Sequence, residues 1–183
     1  MKKILAVVGM CGSGKSSATE IFVEAGWNRV YFGDVTFDEL RRRGQDFSEA
    51  NARVVREEFR ASGDKAIYAR LNKDKIDEAL TRGNVLVESM YSWSEYKFLK
   101  ETYGDMFEVL CVVCNAGIRH ERLSTRTYRP QTYEESRSRD FSEIENIEKG
   151  GPIGIADYYI VNNGDRETFD KQVRELEKQL SKK

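Results

Sequence analysis

The chain has little proline, cysteine and histidine, and each shortage argues against a class of protein. Two prolines in 183 residues are too few for a polyproline linker or a low-complexity protein. Three cysteines make no even-numbered disulfide framework and fit a reducing compartment. Cys111 and Cys114 would point to opposite faces of a strand, which argues against a structural zinc site. The lone histidine, His120, argues against a histidine-dependent nucleophilic triad, and we expect it on the surface of a helix.

Long apolar runs and an excess of one charge are also missing. Lys and Arg total 30 and Asp and Glu total 31, so the net charge is -1 and no global positive field favours nucleic acid or anionic lipid. The longest apolar runs are Ile4–Val8 and Val109–Cys114, far short of the roughly 20 residues that span a bilayer. A membrane protein is excluded, and nucleic-acid binding is disfavoured.

The N-terminus has the outline of a lipoprotein signal, with Lys2-Lys3, an apolar stretch and Cys11. The stretch is short, Gly9 interrupts it, and Met10 is a poor residue for cleavage. We therefore expect an unprocessed start and a cytoplasmic protein.

Short apolar runs alternate with helical patterns, which is typical of βαβ units around a parallel sheet. The hydrophobic fraction of 39% is enough for one sizeable core, so we predict a single domain over residues 1–183. The charged span Val35–Arg82 predicts two or three helices, and helical spacing also predicts helices at Lys15–Ala25 and near the C-terminus. The expected fold is α/β, with five strands and helices on both faces. The predicted strands are Lys3–Val8, Arg29–Phe32, Asn84–Glu88, Glu108–Val113 and Tyr158–Asn162.

The strongest motif is Gly9–Ser16, which matches the phosphate-loop pattern G-x-x-x-x-G-K-[ST] in full. An apolar strand enters it and an amphipathic helix leaves it. Glycines let backbone N–H groups wrap phosphate oxygens, and the helix N-terminus adds partial positive charge. We predict that Lys15 reaches the β- and γ-phosphates of ATP and that the Ser16 hydroxyl holds Mg²⁺. The predicted nucleotide-binding residues of this segment are Gly9, Cys11, Gly12, Ser13, Gly14, Lys15, Ser16 and Ser17.

Two carboxylates follow predicted strands at the edge where ligands bind in open α/β sheets. Asp34 is expected either to orient or deprotonate an acceptor or to cap the helix that begins near Val35. Glu88 is placed like the acidic residue that ends a Walker B strand and aligns Mg²⁺ through water. Asp34 is therefore a candidate catalytic and acceptor-binding residue, and Glu88 is a candidate acceptor-binding residue and metal ligand.

Six arginines and no lysine lie from Arg119 to Arg139. Arg119, Arg122 and Arg126 share one helix face, and Arg129 follows in a loop. Arginine forks suit the spread charge of a transferring phosphoryl group, and an arginine-bearing lid excludes water. The alternative is a solvated helix face paired with neighbouring glutamates. We favour a functional cluster, with Arg122 and Arg126 as catalytic residues and Arg129 and Arg139 as acceptor ligands.

The segment Ile155–Gly164 predicts the last strand and its exit turn. Asn162 and Gly164 are expected to contact the adenine base. The Asn163-Gly164 pair is typical of a turn, since the lysine of a guanine-binding motif is absent.

Across nearly its whole length the chain resembles the P-loop kinases related to dephospho-CoA kinase and adenylate kinase, especially a small branch found in archaea and some bacteria. The segments that carry the resemblance are Gly9–Ser16, Gly33-Asp34-Val35, Glu121-Arg122-Leu123 with Arg126, Arg139-Asp140 and Ala156–Asn162. The resemblance implies a three-layer P-loop NTPase fold of the nucleotide-kinase type with parallel strand order 2-3-1-4-5. The core would span 1–34, 84–126 and 155–183, the helical acceptor region about 35–82 and the lid about 127–133. The resemblance also implies that Arg122 and Arg126 contact ATP and that Asp34 occupies the catalytic position.

The chain departs from this group after the third strand. Relatives often carry Asp-Gly-x-Arg there, and that arginine helps to bind the acceptor, whereas this chain has Glu88-Ser89-Met90-Tyr91. The acceptor pocket is therefore expected to differ or to take its positive charge from the helices after the second strand. The candidates there are Arg41, Arg42, Arg43 and Arg53, of which Arg41 and Arg53 are the predicted acceptor ligands.

We predict an ATP- and Mg²⁺-dependent kinase for a small nucleotide-like acceptor, which is a nucleoside monophosphate or dephospho-CoA. The alternative is a nucleotide-binding regulatory ATPase or switch without a small-molecule acceptor. A kinase for RNA or DNA ends is disfavoured by the net charge, although a local arginine groove would suffice. A monomer or a homodimer is expected.

Overall fold

A computed structural model describes residues 2–127 and 129–182. Tyr128, in the predicted lid, lies outside the described residues, as do the two terminal residues. The strands are β1 (Ile4–Val8), β2 (Asn28–Tyr31), β3 (Val85–Glu88), β4 (Phe107–Val113) and β5 (Tyr158–Val161). The helices are α1 (Lys15–Glu24), α2 (Asp34–Arg42), α3 (Glu49–Ala61), α4 (Ile67–Arg82), α5 (Trp93–Tyr103), α6 (Ala116–Thr125), α7 (Tyr133–Glu145), α8 (Gly150–Gly154) and α9 (Arg166–Ser181). None of these helices is long and apolar enough to cross a membrane.

The strands form one parallel sheet in the order β2-β3-β1-β4-β5. β1 lies at the centre, where Ile4 pairs with Val85 of β3 and with Phe107 of β4. Every residue of β1 is buried. A continuous apolar strand is expected where helices cover both faces of a parallel sheet. The predicted sheet and the strand order implied by the resemblance are confirmed.

Two hydrophobic cores lie on opposite faces of the sheet, because successive side chains of a strand point to opposite sides. Along β1, Ile4, Ala6 and Val8 join the core under α4 and α5. Leu5 and Val7 join the core under α1 and α9. Each fully buried aliphatic side chain of this kind stabilises the fold by about 1.5–3 kcal/mol. The sheet therefore forms a rigid support for the loops that follow the carboxyl ends of its strands.

The span between β2 and β3 contains three helices, the upper end of the predicted range. Leu40 of α2 packs with Ala52 and Val55 of α3 in a small core of their own. The α3 helix begins after Ser48, whose hydroxyl accepts the backbone N–H of Asn51. By contrast, α4 packs on the sheet itself. Thus α2 and α3 form a wall beside the sheet.

The segments that follow the strands meet at one edge of the sheet because all the strands run in the same direction. The phosphate loop Gly9–Ser16 follows β1, Gly33 follows β2 and Ser89 follows β3. Cys114 follows β4 and Asn162 follows β5. Most of the residues predicted to be functional therefore come together at this edge.

Candidate nucleotide-binding and acceptor site

The phosphate loop is a tight turn whose backbone requires glycine, as Gly9 and Gly14 show. Gly9 has a φ of 139° and Gly14 a φ of 104°, backbone conformations that L side chains rarely adopt. A Cβ atom on Gly9 would lie 2.4 Å from the carbonyl oxygen of Val112. One on Gly14 would lie 2.2 Å from Nδ2 of Asn162. The loop therefore packs closely against β4 and the end of β5.

A cavity of about 350 Å³ opens over the phosphate loop; we call it the donor cavity. Residues from the loop, the end of β3, α6 and the α7–α8 region form its wall. The charged and hydroxyl side chains among them are Lys15, Ser16, Ser17, Glu88, Ser89, Tyr91, Arg122, Arg126, Arg139, Glu143 and Lys149. Since lysines and arginines outnumber carboxylates in this set, the donor cavity suits a polyanion.

Lys15 lies in the donor cavity with its ammonium group turned back onto the loop. Its Nζ donates to the carbonyl oxygen of Met10 at 2.9 Å. Burial, together with the neighbouring charge of Lys149, lowers the pKa of Lys15 to about 8. A bound phosphate would compensate both effects, because an adjacent negative charge favours the protonated amine.

Arg122 and Arg126, predicted to contact ATP, both lie on the donor cavity. Arg122 makes two long contacts, to Sγ of Cys114 at 3.4 Å and to Oδ1 of Asn162 at 3.5 Å, which are at the weak limit of hydrogen bonding. Arg126 follows the end of α6, and its Nε donates to the carbonyl oxygen of Arg129 at 2.6 Å. Arg126 thus connects the donor cavity to the segment predicted as a lid.

Arg119 binds the phosphate loop through a backbone carbonyl group and does not line the donor cavity. Its guanidinium donates to the carbonyl oxygen of Cys11 at 3.0 Å and forms two bonds of 2.8 Å to the carboxylate of Asp140. The side chain of Arg119 is 6% exposed and that of Asp140 14%. This buried pair ties α7 to α6 and to the phosphate loop. The sequence predicted that Arg119, Arg122 and Arg126 share one face of the helix. In the structure Arg119 is buried against Asp140, whereas Arg122 and Arg126 line the donor cavity.

The prediction that His120 is a surface residue is wrong. His120 is 5% exposed, and its Nε2 lies 2.8 Å from Oδ2 of Asp140, the same carboxylate that Arg119 binds. The ring of Tyr133 packs against it edge-on. The charged neighbours of His120 in the sequence led to the prediction that it is exposed to solvent. It is buried because α7 packs over this side of α6.

Asn162 holds the phosphate loop, whereas the sequence predicted a contact with the base. Its side chain is buried, and its Nδ2 donates to the carbonyl oxygen of Ser13 at 2.8 Å. Gly164 lies in the exposed turn after β5, as predicted for the Asn163-Gly164 pair. The amide of Asn162 therefore links the end of β5 to the loop from β1.

The residues proposed for Mg²⁺ lie on the donor cavity, and the fit of a magnesium ion can be judged from them. Ser16 is exposed, and Glu88 is an ion-pair partner of Arg29 at 2.5 Å. Within residues 2–127 and 129–182, no group of three or more His, Cys, Asp or Glu side chains could hold a metal by itself, and the three cysteines are free. A hydroxyl and one carboxylate suit Mg²⁺ carried by phosphates, which keeps most of its waters.

A second cavity, of about 570 Å³, lies between the sheet edge, α2–α4 and α7; we call it the acceptor cavity. Aromatic and charged side chains dominate its wall. The aromatic residues are Tyr31, Phe32, Phe37, Tyr68 and Tyr91, and the cationic ones are Arg56, Arg60, Lys65, Arg129 and Arg139. The acids Glu49, Asp64, Glu95 and Glu148 complete the charged lining. This combination suits a ligand with a flat ring and a negative charge.

Arg41 and Arg53, the predicted sources of acceptor-binding charge, are not among the residues that line the acceptor cavity. Arg41 pairs with Asp38 and Arg53 with Glu57, and both arginine side chains are largely exposed. Arg56 of the same helix lines the cavity and pairs with Glu49. Arg53 and Arg56 are three positions apart on α3, and only Arg56 is on the side that lines the cavity. The helix α3, predicted to supply positive charge, therefore reaches the cavity through Arg56 rather than through Arg53.

Asp34 stands at the first turn of α2 and is exposed. Gly33 caps this helix without a side-chain bond, so the capping role weighed for Asp34 is not what the structure shows. Gly33 and Thr36 line the acceptor cavity, while Asp34 is not among the lining residues of either cavity. A Cβ atom on Gly33 would lie 2.4 Å from the ring of Tyr31, which explains the glycine here.

The two cavities share Ser89, Tyr91 and Arg139. Ser89 has a φ of 67°, so the chain turns sharply where β3 ends, directly between them. Such strained residues cluster at functional sites. Arg139 was predicted as an acceptor ligand and does lie at this junction.

Lys149, on the donor-cavity side of this junction, is a charged residue that the sequence analysis did not identify. It is 3% exposed, and its Nζ donates to Oε2 of Glu143 at 2.7 Å. No motif marks it, and its neighbours are glycine-rich rather than amphipathic. The only sequence signal was a lysine beside a Gly-Gly pair, which by itself indicates a turn.

Comparison with known proteins agrees with this geometry. A family model described as an AAA domain matches residues 5–148. A UPF0200 protein of Thermococcus kodakarensis is 32% identical over 178 residues, which cover 94% of this chain and 95% of the relative. Among solved structures, TT1252 of Thermus thermophilus has a TM-score of 0.66 at 19% identity and covers 99% of this chain and 97% of that one. A dephospho-CoA kinase of Campylobacter jejuni has a TM-score of 0.59 at 16% identity and covers 100% and 99%.

The likeness to these solved structures, at low identity, shows the fold and confirms the resemblance stated above. The sheet order and the phosphate loop agree with it. The family model spans most of the chain, and the Thermococcus relative aligns over nearly its full length. The chain therefore belongs to the AAA-domain family matched by that model and is a P-loop kinase-like member of the UPF0200 proteins.

Proposed function

We propose that this protein transfers the γ-phosphoryl group of ATP, with Mg²⁺, to a small nucleotide-like acceptor. The observation that supports this most is the pair of adjoining cavities at the carboxyl edge of the sheet. One is built on the phosphate loop, the other is lined by aromatic and cationic side chains, and Ser89, Tyr91 and Arg139 belong to both. A kinase needs such adjoining sites because donor and acceptor must meet with water excluded.

On the donor side, the phosphate loop and the N-terminus of α1 bind the phosphates through backbone N–H groups. Lys15 and Arg122 neutralise the charge that spreads over the phosphoryl oxygens. Arg126, next to the predicted lid, joins them. Ser16 and Glu88, the latter through water, would hold Mg²⁺. The ion would supply neutralisation of the negative charge on the phosphates.

On the acceptor side, aromatic rings such as Tyr68 stack on a base, and Arg129 and Arg139 attract an anionic group. Nucleoside monophosphates and dephospho-CoA both combine a base with phosphate, and they are the two acceptor classes we propose. Asp34, which lines neither cavity but follows Gly33 of the acceptor-cavity wall, is the residue that we propose to orient the acceptor, and its role is tested separately below. The protein acts in the cytoplasm as a monomer or a homodimer, and no nucleic acid takes part.

A regulatory ATPase is the second candidate, favoured by Tyr91 at a position where related kinases carry an arginine. An ADP-release assay separates the two. It measures turnover of Mg-ATP with AMP, CMP, UMP, GMP, their deoxy forms and dephospho-CoA, beside a control without acceptor. Strong stimulation by one acceptor supports the kinase, whereas slow hydrolysis that is indifferent to every acceptor supports the regulatory ATPase.

The role of Asp34 is tested by Asp34→Asn. A carboxylate that only orients the acceptor is replaced in part by the amide, so we expect kcat to fall about tenfold or less with unchanged ATP affinity. A general base would instead lose about 10²–10⁴-fold in kcat. Steady-state kinetics with the stimulating acceptor distinguish the two roles.

A further inference from the structure

Lys149 lines the donor cavity and reaches the junction with the acceptor cavity only through its contacts with two groups there, the ring of Tyr91 and, through Glu143, the guanidinium of Arg139. Its ammonium group pairs with Glu143 and lies 4.7 Å from the centre of the Tyr91 ring. Glu143 also accepts a bond from Nε of Arg139 at 3.0 Å. One buried carboxylate therefore serves two cations at the place where the donor and acceptor cavities meet.

A third cation, Lys15, lies close enough for the charge of Lys149 to lower its pKa. Lys15, Arg139 and Lys149 all line the donor cavity, with Glu143 as the carboxylate between two of them. Placing three cations around one carboxylate opposes folding, because like charges repel and the burial of Lys149 costs solvation. An anion at the junction would compensate the excess, which is the arrangement expected of a binding site.

Contacts outside the site hold Lys149 in place. The backbone N–H of Lys149 donates to the carbonyl oxygen of Glu143 at 3.2 Å. Glu148, with a φ of 58°, forms an ion pair with Lys65 of the acceptor cavity wall. A Cβ atom on Gly151 would lie 2.7 Å from the Trp93 ring, so α8 packs directly on α5. The turn between α7 and α8 is thus built to present this side chain inward.

We propose that Lys149, Arg139 and Tyr91 form the site for the phosphate group of the acceptor, so that the acceptor is a phosphomonoester rather than an alcohol. This rests on the proposed function and narrows its two acceptor classes to the nucleoside monophosphates. The ring of Tyr91 orients the ammonium group from one side, as cation–π contacts do, and Glu143 orients it from the other. Lys149 acts as a binding residue for the attacking phosphate.

A phosphomonoester and an alcohol differ as acceptors in whether a proton must be removed from the attacking oxygen. A phosphomonoester oxygen attacks the γ-phosphorus, the bond from phosphorus to the bridging oxygen breaks, and its electron pair leaves with ADP. No proton has to be removed, because the monoester is mostly dianionic above its second pKa of about 6. An alcohol must lose a proton to a base, and the candidate base, Asp34, lines neither cavity. The side chains at the junction favour the phosphate.

The test is a binding measurement on the full chain by calorimetry, with Mg²⁺ and a non-hydrolysable ATP analogue present. The probes are AMP, CMP, GMP and UMP, each beside its nucleoside. We expect at least one monophosphate to bind at least tenfold more tightly than its nucleoside. Lys149→Met should remove that difference and should lower the affinity for the monophosphate by a larger factor than the affinity for the ATP analogue, because Lys149 also lines the donor cavity. The matched control is Lys73→Met, since Lys73 is an exposed α4 lysine paired with Asp77.

Loss of Lys149 leaves Glu143 with one partner fewer, so Lys149→Met can fail to fold. The double variant Lys149→Met/Glu143→Gln then removes both charges, and Lys149→Arg keeps a cation and should retain the preference for the monophosphate. Equal affinity for nucleoside and monophosphate overturns the proposal. So does an equal loss for the ATP analogue and the monophosphate, which would place Lys149 on the donor.

The experiments distinguish a failure of the proposed kinase function from a failure of the proposed phosphate site. If dephospho-CoA stimulates ADP release and no monophosphate depends on Lys149, the kinase stands and the phosphate site is overturned. If monophosphates bind through Lys149 but no acceptor stimulates ADP release, the phosphate site stands and the kinase falls.

Discussion

The donor and acceptor sides of the site are built in different ways. The donor side is centred on eight consecutive residues, Gly9–Ser16, between a strand and a helix, and the end of β3, α6 and the α7–α8 region complete its wall. The acceptor cavity takes its wall from β2, α2–α4, the turn after β3 and the α7–α8 region. The first depends on local backbone geometry and the second on contacts between distant segments. The donor side could therefore be located from the sequence, and the acceptor side could not.

The supporting interactions differ as well. Buried groups hold the phosphate loop from behind, with Arg119 on the carbonyl of Cys11 and Asn162 on that of Ser13. Exposed ion pairs hold much of the acceptor wall, such as that of Arg129 with Glu49 at 3.3 Å. Exposed pairs are worth about 0–1 kcal/mol, so this wall can rearrange when a ligand binds. The donor side is the rigid half and the acceptor side the adaptable half.

The largest expected effect is at the rigid half. Lys15→Ala removes the ammonium group that we propose binds the phosphates, and we expect ATP turnover to fall by at least about 10³-fold. Circular dichroism and the melting temperature show whether the variant is folded. Normal turnover in a folded Lys15→Ala protein would refute the assignment of the phosphate loop.

The buried support is tested by Arg119→Met. The variant leaves the Asp140 carboxylate buried beside His120 without its bidentate partner, so we expect the free energy of unfolding to fall by about 3–5 kcal/mol. Urea denaturation measures it. The control is Arg137→Met, an exposed α7 residue 5.9 Å from the Phe141 ring, with an expected loss below about 1 kcal/mol. Equal losses would mean that the buried pair does not support the loop.

The pH dependence of ATP binding follows from the pKa of Lys15, which is lowered to about 8. Bound phosphate raises this pKa again, so binding takes up a proton above pH 8. The affinity should be constant below pH 8 and fall as the pH rises, by about tenfold at pH 9. Calorimetry in buffers of different ionisation enthalpy detects the proton. Lys15→Arg, which stays protonated, should have a flat profile, and an equal slope would assign the dependence to another group.

The smallest expected effect is at the adaptable half and compares two arginines of α3. Arg56 lines the acceptor cavity, whereas Arg53 pairs with Glu57 on the exposed side. We expect Arg56→Ala to raise the acceptor KM about tenfold with little change in kcat, because one charge-assisted contact of about 1.5 kcal/mol is lost. Arg53→Ala should change KM less than twofold. The reverse order would restore Arg53 as the acceptor ligand.

Much of the fold could be predicted because its signals are local. Short, mostly apolar runs in the sequence marked all five strands to within a few residues, and the phosphate loop followed from its spacing. His120 was mispredicted because its burial depends on α7, which is separate in sequence. Arg41 and Arg53 were chosen over Arg56 because helical periodicity gives the spacing of a face but not the direction in which it points.

The sequence by itself determined the parallel sheet, the phosphate loop and the identity of Lys15 and Ser16 as its charged and hydroxyl groups. These features depend on backbone conformations and on periods of a few residues. Only the tertiary structure decided that Arg119 is a buried support, that Arg56 faces the acceptor cavity and that Lys149 meets Glu143 and Tyr91. Each of these requires segments far apart in the chain to pack together, and burial and charge pairing act between those segments rather than within them.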